Sequence, residues 1–174
     1  MRNVIVVEWM SLDGVIQSAG ADDDTTGGFE HGGWHPPYFD EPAMNWVLEG
    51  YRQAGGFLFG RRMYELLAGY RPTASEEEQP VAGPLNSRPK YVASTTLGEP
   101  LAWQNAFLLK GDAAEAVAAL KQEDGGDLHA IGSTQLVAAL LEHDLVHGYR
   151  LRALRLIEGQ VTSTGAILAT YARG

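Results

Sequence analysis

Near its start the chain reads "NVIVVEWM", β-branched and almost unbroken in apolar residues, which is the pattern of a central strand covered on both faces. "SLDGV" ends that run. From Ile16 to Pro37 glycine, aspartate and threonine dominate, a composition that predicts a long ordered loop. Met44, Val47, Leu48 and Tyr51 then recur at helical spacing behind Asp40, Glu41 and Pro42, predicting a helix over 40–53 closed by Gly55-Gly56. "FLFG" predicts a short buried strand, and "RRMYELLAGY" a helix turning Leu66, Leu67 and Tyr70 to the sheet. The polar stretch from Pro72 to Pro89, with its "SEEE" run and its prolines, predicts a solvated connection.

Beyond it "KYVAST" and "AFLLKG" read as strands, "DAAEAVAALKQ" as a helix with Asp112 at its N-cap, "DLHAIGS" as a strand and "TQLVAALLEHDL" as a short helix. "GYRLRALRL" and "QVTSTGAILATYAR" follow as late strands, the second turning at S-T-G. Strands that alternate with helices and finish without one describe an α/β fold, a mostly parallel sheet with an antiparallel tail. No repeat or linker divides the chain, so one domain over 1–174 is expected.

Charge narrows the partners. With 22 acidic and 13 basic residues and a net charge of −9, most of the surface repels nucleic acid and anionic membranes, so an anionic ligand needs a local basic pocket. The absence of cysteine excludes disulfides, thiolate metal sites and cysteine nucleophiles. Glu8 interrupts the first apolar run too early for a signal peptide or a membrane span, and a soluble, cytoplasmic protein is expected. No metal is expected. His31 and His35 lack ligand spacing, and His143 to His147 departs from H-E-x-x-H in having Asp144, with Gly148 directly after it. A G-x-S-x-G nucleophile elbow is also missing.

Gly60-Arg61-Arg62 stands where a strand gives way to a helix. Such a start exposes unpaired N–H groups, glycine admits an anion to the backbone, and arginine adds a planar fork suited to phosphate. The same residues also suit plain pairing with the acidic surface. Gly132-Ser133-Thr134 repeats the arrangement, and Ser94-Thr95 places hydroxyls at a third strand end on the same predicted edge. Three such ends suggest an extended ligand with several phosphates, such as a dinucleotide. "FEHGGWHPPYF" offers Phe29, Trp34, Tyr38 and Phe39, with His31 and His35 among them, for stacking on a flat heteroaromatic substrate or for plugging the sheet edge.

In order and spacing, "VEWMSLDGVIQ", "GGFEHGGW", "PYF", "LFGRRMYE", "LNSRPKYVAST", "LLKGD", "DLHAIGSTQLVAALLEHDLV" and "TSTGAILATY" resemble the dihydrofolate-reductase-like family that includes the reductase half of bifunctional riboflavin-biosynthesis enzymes. The likeness covers nearly the whole chain and is nearest to stand-alone bacterial members. It implies a three-layer α/β fold with an antiparallel C-terminal hairpin, an NADPH-dependent oxidoreductase and a homodimer. The family's G-R-x-T-Y/W stretch maps onto Gly60, Arg61, Arg62 and Tyr64, where it implies contact with the phosphate on the adenine ribose; Met63 replaces the usual threonine. Ser94 and Thr95 fall beside the adenosine half, and Gly132, Ser133 and Thr134 beside the pyrophosphate. Asp13 resembles the family's aspartate near nicotinamide and substrate, although a turn aspartate before glycine is equally a structural residue. The implied acceptor is a pterin, a pyrimidine amino-ribitol compound or a natural-product carbonyl or imine. Relatives carry a further strand and loop before the last hairpin, whereas "HGYRLRALRLIEGQVTSTG" passes almost directly into it. That departure keeps open a ligand- or nucleotide-binding protein without turnover.

Overall fold

The computed structural model describes residues 1–10, 14–20, 28–149, 155–161, 163 and 167–172. Strands β1 (Val4–Val7), β2 (Gly56–Gly60), β3 (Lys90–Ala93), β4 (Ala106–Leu109), β5 (Leu128–Ile131) and β6 (Gly148–Tyr149) run parallel in the order β4-β3-β2-β5-β1-β6. β8 (Ile167–Ala172) joins β6 antiparallel, and β7 (Arg155–Val161) pairs antiparallel with β8 at the edge. The run "GYRLRALRL", expected as one strand, therefore contributes to two: Gly148–Tyr149 beside β1 and the start of β7 at the far edge. Residues 150–154 and 164–166, including the S-T-G turn beyond Ser163, lie outside the described residues.

Alternation along the strands divides the core into two layers. Val4, Val6, Leu58, Leu128 and Ala130 face helices α4 (Ala113–Gln122) and α5 (Thr134–Glu142), burying Val117, Leu120, Leu136 and Leu140. Their neighbours Phe57, Phe59 and Val92 point to the opposite face, where Tyr64, Leu67, Leu85 and Trp103 complete a second cluster. α1 (Glu41–Gln53), α2 (Arg61–Ala68) and α3 (Gln79–Ser87) belong to that second side, with Tyr51 of α1 packed on the cluster.

Two expectations are corrected here. In α2 it is Tyr64 and Leu67 that face the sheet; Leu66 and Tyr70 are exposed. Leu67 faces inward as expected, and Tyr64, one turn earlier, completes the inner face in place of Leu66 and Tyr70. The stretch from Pro72 to Pro89 is not simply a solvated connection: Arg71–Thr73 makes a 3-10 turn and α3 buries Ala82 and Leu85. Pro80 sits in its first turn, where a missing N–H costs nothing, whereas Pro84 lies inside the helix and removes one of its backbone bonds. Lys90 ends α3 from outside. Its Nζ donates to the carbonyls of Leu85 at 2.7 Å, Arg88 at 2.9 Å and Asn86 at 3.3 Å, and lies 4.7 Å over the Trp103 ring.

The N-terminal edge of the parallel sheet is closed by backbone. Gly55 and Gly126 approach so tightly that a Cβ on Gly55 would meet the Gly126 main chain, and buried Arg2 bonds Gly126 O through Nε at 2.8 Å. The other edge is where chemistry-bearing residues gather.

Candidate functional site

β3, β2, β5 and β1 lie side by side, so the residues just past their carboxyl ends, Ser94, Gly60-Arg61, Gly132-Ser133 and Glu8-Trp9, share one edge. That edge is where open parallel sheets hold ligands. Ser133 adopts the left-handed conformation (φ 67°, ψ 57°), and its Oγ accepts the Gly60 N–H at 2.7 Å. The two strand-to-helix turns read separately from the sequence are thus stitched together. A Cβ on Gly60 would approach the Ser133 side chain to 3.1 Å, a tight contact that would press on the stitch. Gly132 (φ +58°) donates its N–H to Val7 O at 3.3 Å, and a side chain there would run into the methyl of Met63.

The helix starts differ in kind. Asp40 caps α1 through Ala43 N, and Asp112 caps α4 through Ala114 N and Glu115 N. α2 and α5 begin without a side-chain cap, at Gly60 and at left-handed Ser133. Their first-turn N–H groups therefore meet the sheet edge with no side chain of the cap residue across them.

Arg61 is exposed, donating from Nε to Glu65 at 2.9 Å and from a terminal nitrogen to Thr96 Oγ1 at 2.8 Å. Such exposed pairs hold a side chain only weakly, so the guanidinium is available to a stronger anion. Ser94 Oγ accepts the N–H groups of Thr96 and Leu97, both at 3.1 Å, which folds the turn that brings Thr96 to Arg61. Arg62, in the first turn of α2, and Thr134, the first residue of α5, are both exposed. Tyr64 is placed otherwise: it is 4 % exposed, and its hydroxyl accepts the Trp103 N–H at 3.0 Å, so it serves the core beneath α2 rather than the edge.

On the α1 side aromatic rings gather over the end of β1. Trp9 lies 3.9 Å from His35, 5.5 Å from Phe39 and 5.9 Å from Trp46, measured between ring centroids. Trp34 meets His35 edge-on and donates Nε1–H to Gln17 O at 3.0 Å; Phe29 lies apart from this group, edge-on to His31. Burial pushes the His35 imidazole below its ordinary value, keeping it neutral within the stack. Asp13 and the side chain of Tyr38 lie outside the described residues. Among the described residues no group of three or more His, Asp or Glu side chains is arranged to hold a metal ion. No helix among them is long and apolar enough to cross a membrane.

The RibD C-terminal domain family matches residues 2–167. The chain belongs to that family. Solved structures share its fold: a protein from Shewanella sp. PV-4 named for riboflavin biosynthesis aligns with TM-score 0.59 at 18% identity, covering 100% of this chain and 99% of its own. A pyrimidine reductase-like protein from Corynebacterium diphtheriae aligns with TM-score 0.58 at 9% identity, covering 98% and 91%. No curated protein matches the chain significantly.

Four residues of this RibD C-terminal domain reach the edge without having been singled out as site residues from the sequence: Glu8, Trp9, Trp46 and Thr96. Trp9 and Glu8 had a usable signal, since they directly follow a central strand. Thr96 and Trp46 had none, because only the folded chain brings a turn to Arg61 and a helix to Trp9.

Proposed function

We propose that this protein is an NADPH-dependent reductase of the riboflavin-pathway type, passing a hydride to a small heteroaromatic carbonyl or imine. The observation that carries the reading is the Gly60–Ser133 stitch, which sets two uncapped helix starts side by side with Arg61 and Arg62 at the carboxyl edge of a parallel sheet. Paired N–H clusters and two guanidinium groups suit a ligand with separated phosphates better than a single anion. Bound NADPH supplies the hydride. Gly60, Arg61, Arg62, Ser94, Thr95 and Thr96 would hold the adenosine half with its extra phosphate, and Gly132, Ser133 and Thr134 the pyrophosphate. Trp9, Trp34, Tyr38, Phe39 and Trp46, with Phe29 from the adjoining loop, would form the flat-sided acceptor site, and Asp13 would orient the acceptor. The working protein would be a cytoplasmic homodimer, a state that sedimentation tests.

Titration with NADPH and NADH by calorimetry and nicotinamide fluorescence tests the reading. NADPH is expected to bind with clear preference, and Arg61→Ala to weaken NADPH by about tenfold or more, the worth of one charge-assisted contact, while NADH changes little. Equal losses for both cofactors would remove Arg61 from the phosphate site. A second reading, nucleotide binding without turnover, draws on the Met63 methyl lying over Gly132, where the family's usual threonine would bring a hydroxyl. NADPH binding with no oxidation across a broad acceptor panel would favour it.

A further inference from the structure

Hydride transfer to a C=N or C=O bond leaves one chemical need unmet by a dinucleotide site, a proton for the acceptor's nitrogen or oxygen. Glu8 is the first residue past β1. Val7 pairs with Ile131, so Glu8 comes level with Gly132, with Trp9 of the aromatic group directly after it. It therefore lies between the two halves of the proposed site. The residue is half-buried, yet its Oε1 is sealed from water and, among the described residues, has no hydrogen-bond partner. A carboxylate oxygen left so is costly, whereas a neutral carboxylic acid in the same place is tolerated and carries a proton ready to give.

Resting on the reductase reading above, we propose that Glu8 is the proton donor of this site: its neutral carboxyl protonates the acceptor heteroatom while the adjoining carbon receives the hydride. In that step a C–H bond and an N–H or O–H bond form on the acceptor, its double bond is reduced by two electrons taken from the dihydronicotinamide, and Glu8 becomes a carboxylate that solvent reprotonates. Burial alone raises the Glu8 carboxyl from 4.5 to about 8, so the acid form prevails at neutral pH. On the two strands flanking β1 the titratable side chains are His129, level with Ile5, and Tyr149, level with Val6. His35, on the loop over Trp9, is held neutral by its own burial. Among the described residues, no neighbouring charge moves Glu8; burial is the cause of its shift.

Two measurements decide the matter. Infrared difference spectra of the wild type against Glu8→Gln should show a protonated carboxyl band at neutral pH that fades with a midpoint near pH 8; its absence at neutral pH would overturn the proposal whatever the activity. Stopped-flow NADPH oxidation with a dihydropterin, an aminopyrimidine ribosylamine and a cyclic imine as acceptors should be about 100-fold slower in Glu8→Gln, with NADPH affinity unchanged. The wild-type rate should fall above pH 8, and the variant should lose that fall. NADPH binding with equal rates in both proteins would remove Glu8 from the reaction and leave the reductase reading standing. Binding without oxidation of any of the three acceptors would overturn the donor role and favour binding without turnover, and no NADPH binding would overturn both proposals.

Discussion

Lys90 and Glu8 show how much a single residue's meaning depends on what folds around it. In sequence Lys90 merely begins "KYVAST"; in the fold it is fully buried and ties off three carbonyls at the end of α3. Lys90→Met would strand those acceptors, and a loss of about 2–4 kcal/mol in urea unfolding is expected. The two residues also predict opposite pH dependences. Burial lowers Lys90 from 10.5 to about 8, so between those values the unfolded chain keeps a proton that the folded one has released, and stability rises with pH. Glu8 is raised from 4.5 to about 8, so the folded state holds the extra proton in that window and stability falls as pH rises through it. Urea midpoints should accordingly dip towards pH 8 and recover above it. Glu8→Gln should flatten the dip and Lys90→Met the recovery; a wild-type profile level from about pH 5 to 10 would contradict both assignments.

At the scale of elements, capping separates helices whose starts are sealed from those left open. Asp112 was readable as the cap of α4 because it stands immediately before an alanine-rich helical run, and the structure has it bonding Ala114 N and Glu115 N. α3 was not readable. Its prolines and acidic neighbours look like a loop, and only packing of Leu85 beneath Trp103 and Phe59 makes the segment helical. Leu85→Ala should therefore cost about 2–5 kcal/mol, measured by chemical unfolding, where a solvated connection would lose almost nothing. The inner face of α2 was read only in part, at Leu67, for a related reason. Leu66 and Tyr70 are as apolar as Leu67, but β2 hands the chain over with Tyr64 already directed at Trp103.

Across the whole molecule, Asp40 joins parts distant in sequence. One carboxylate oxygen caps α1, while the other accepts the N–H and hydroxyl of Ser163, each at 3.1 Å. Ser163 lies between β7 and β8, so this aspartate fastens the antiparallel end of the sheet to the helix beside the aromatic group. Asp40→Ala should lower stability by about 1–2 kcal/mol and speed amide exchange in β7 and β8; unchanged exchange in those strands would show that the tie carries no load.

Outside α3 and the divided β6–β7 run, strand and helix order, the Asp112 cap and the glycine-marked turns at Gly60 and Gly132 were written in local patterns, since alternation, helical spacing and turn chemistry act over a few residues. The same holds for the likeness to the reductase family, carried by motifs in sequence order. Tertiary structure alone decided that the two turns are one device, because a serine in a left-handed conformation must first be brought beside a glycine 73 residues away. It also decided that Tyr64 belongs to the core, that Thr96 meets Arg61, and that a carboxyl interrupting an apolar run has an oxygen sealed from water, with no partner among the described residues. Burial and pairing are properties of what surrounds a residue, and the linear pattern records only what the residue is.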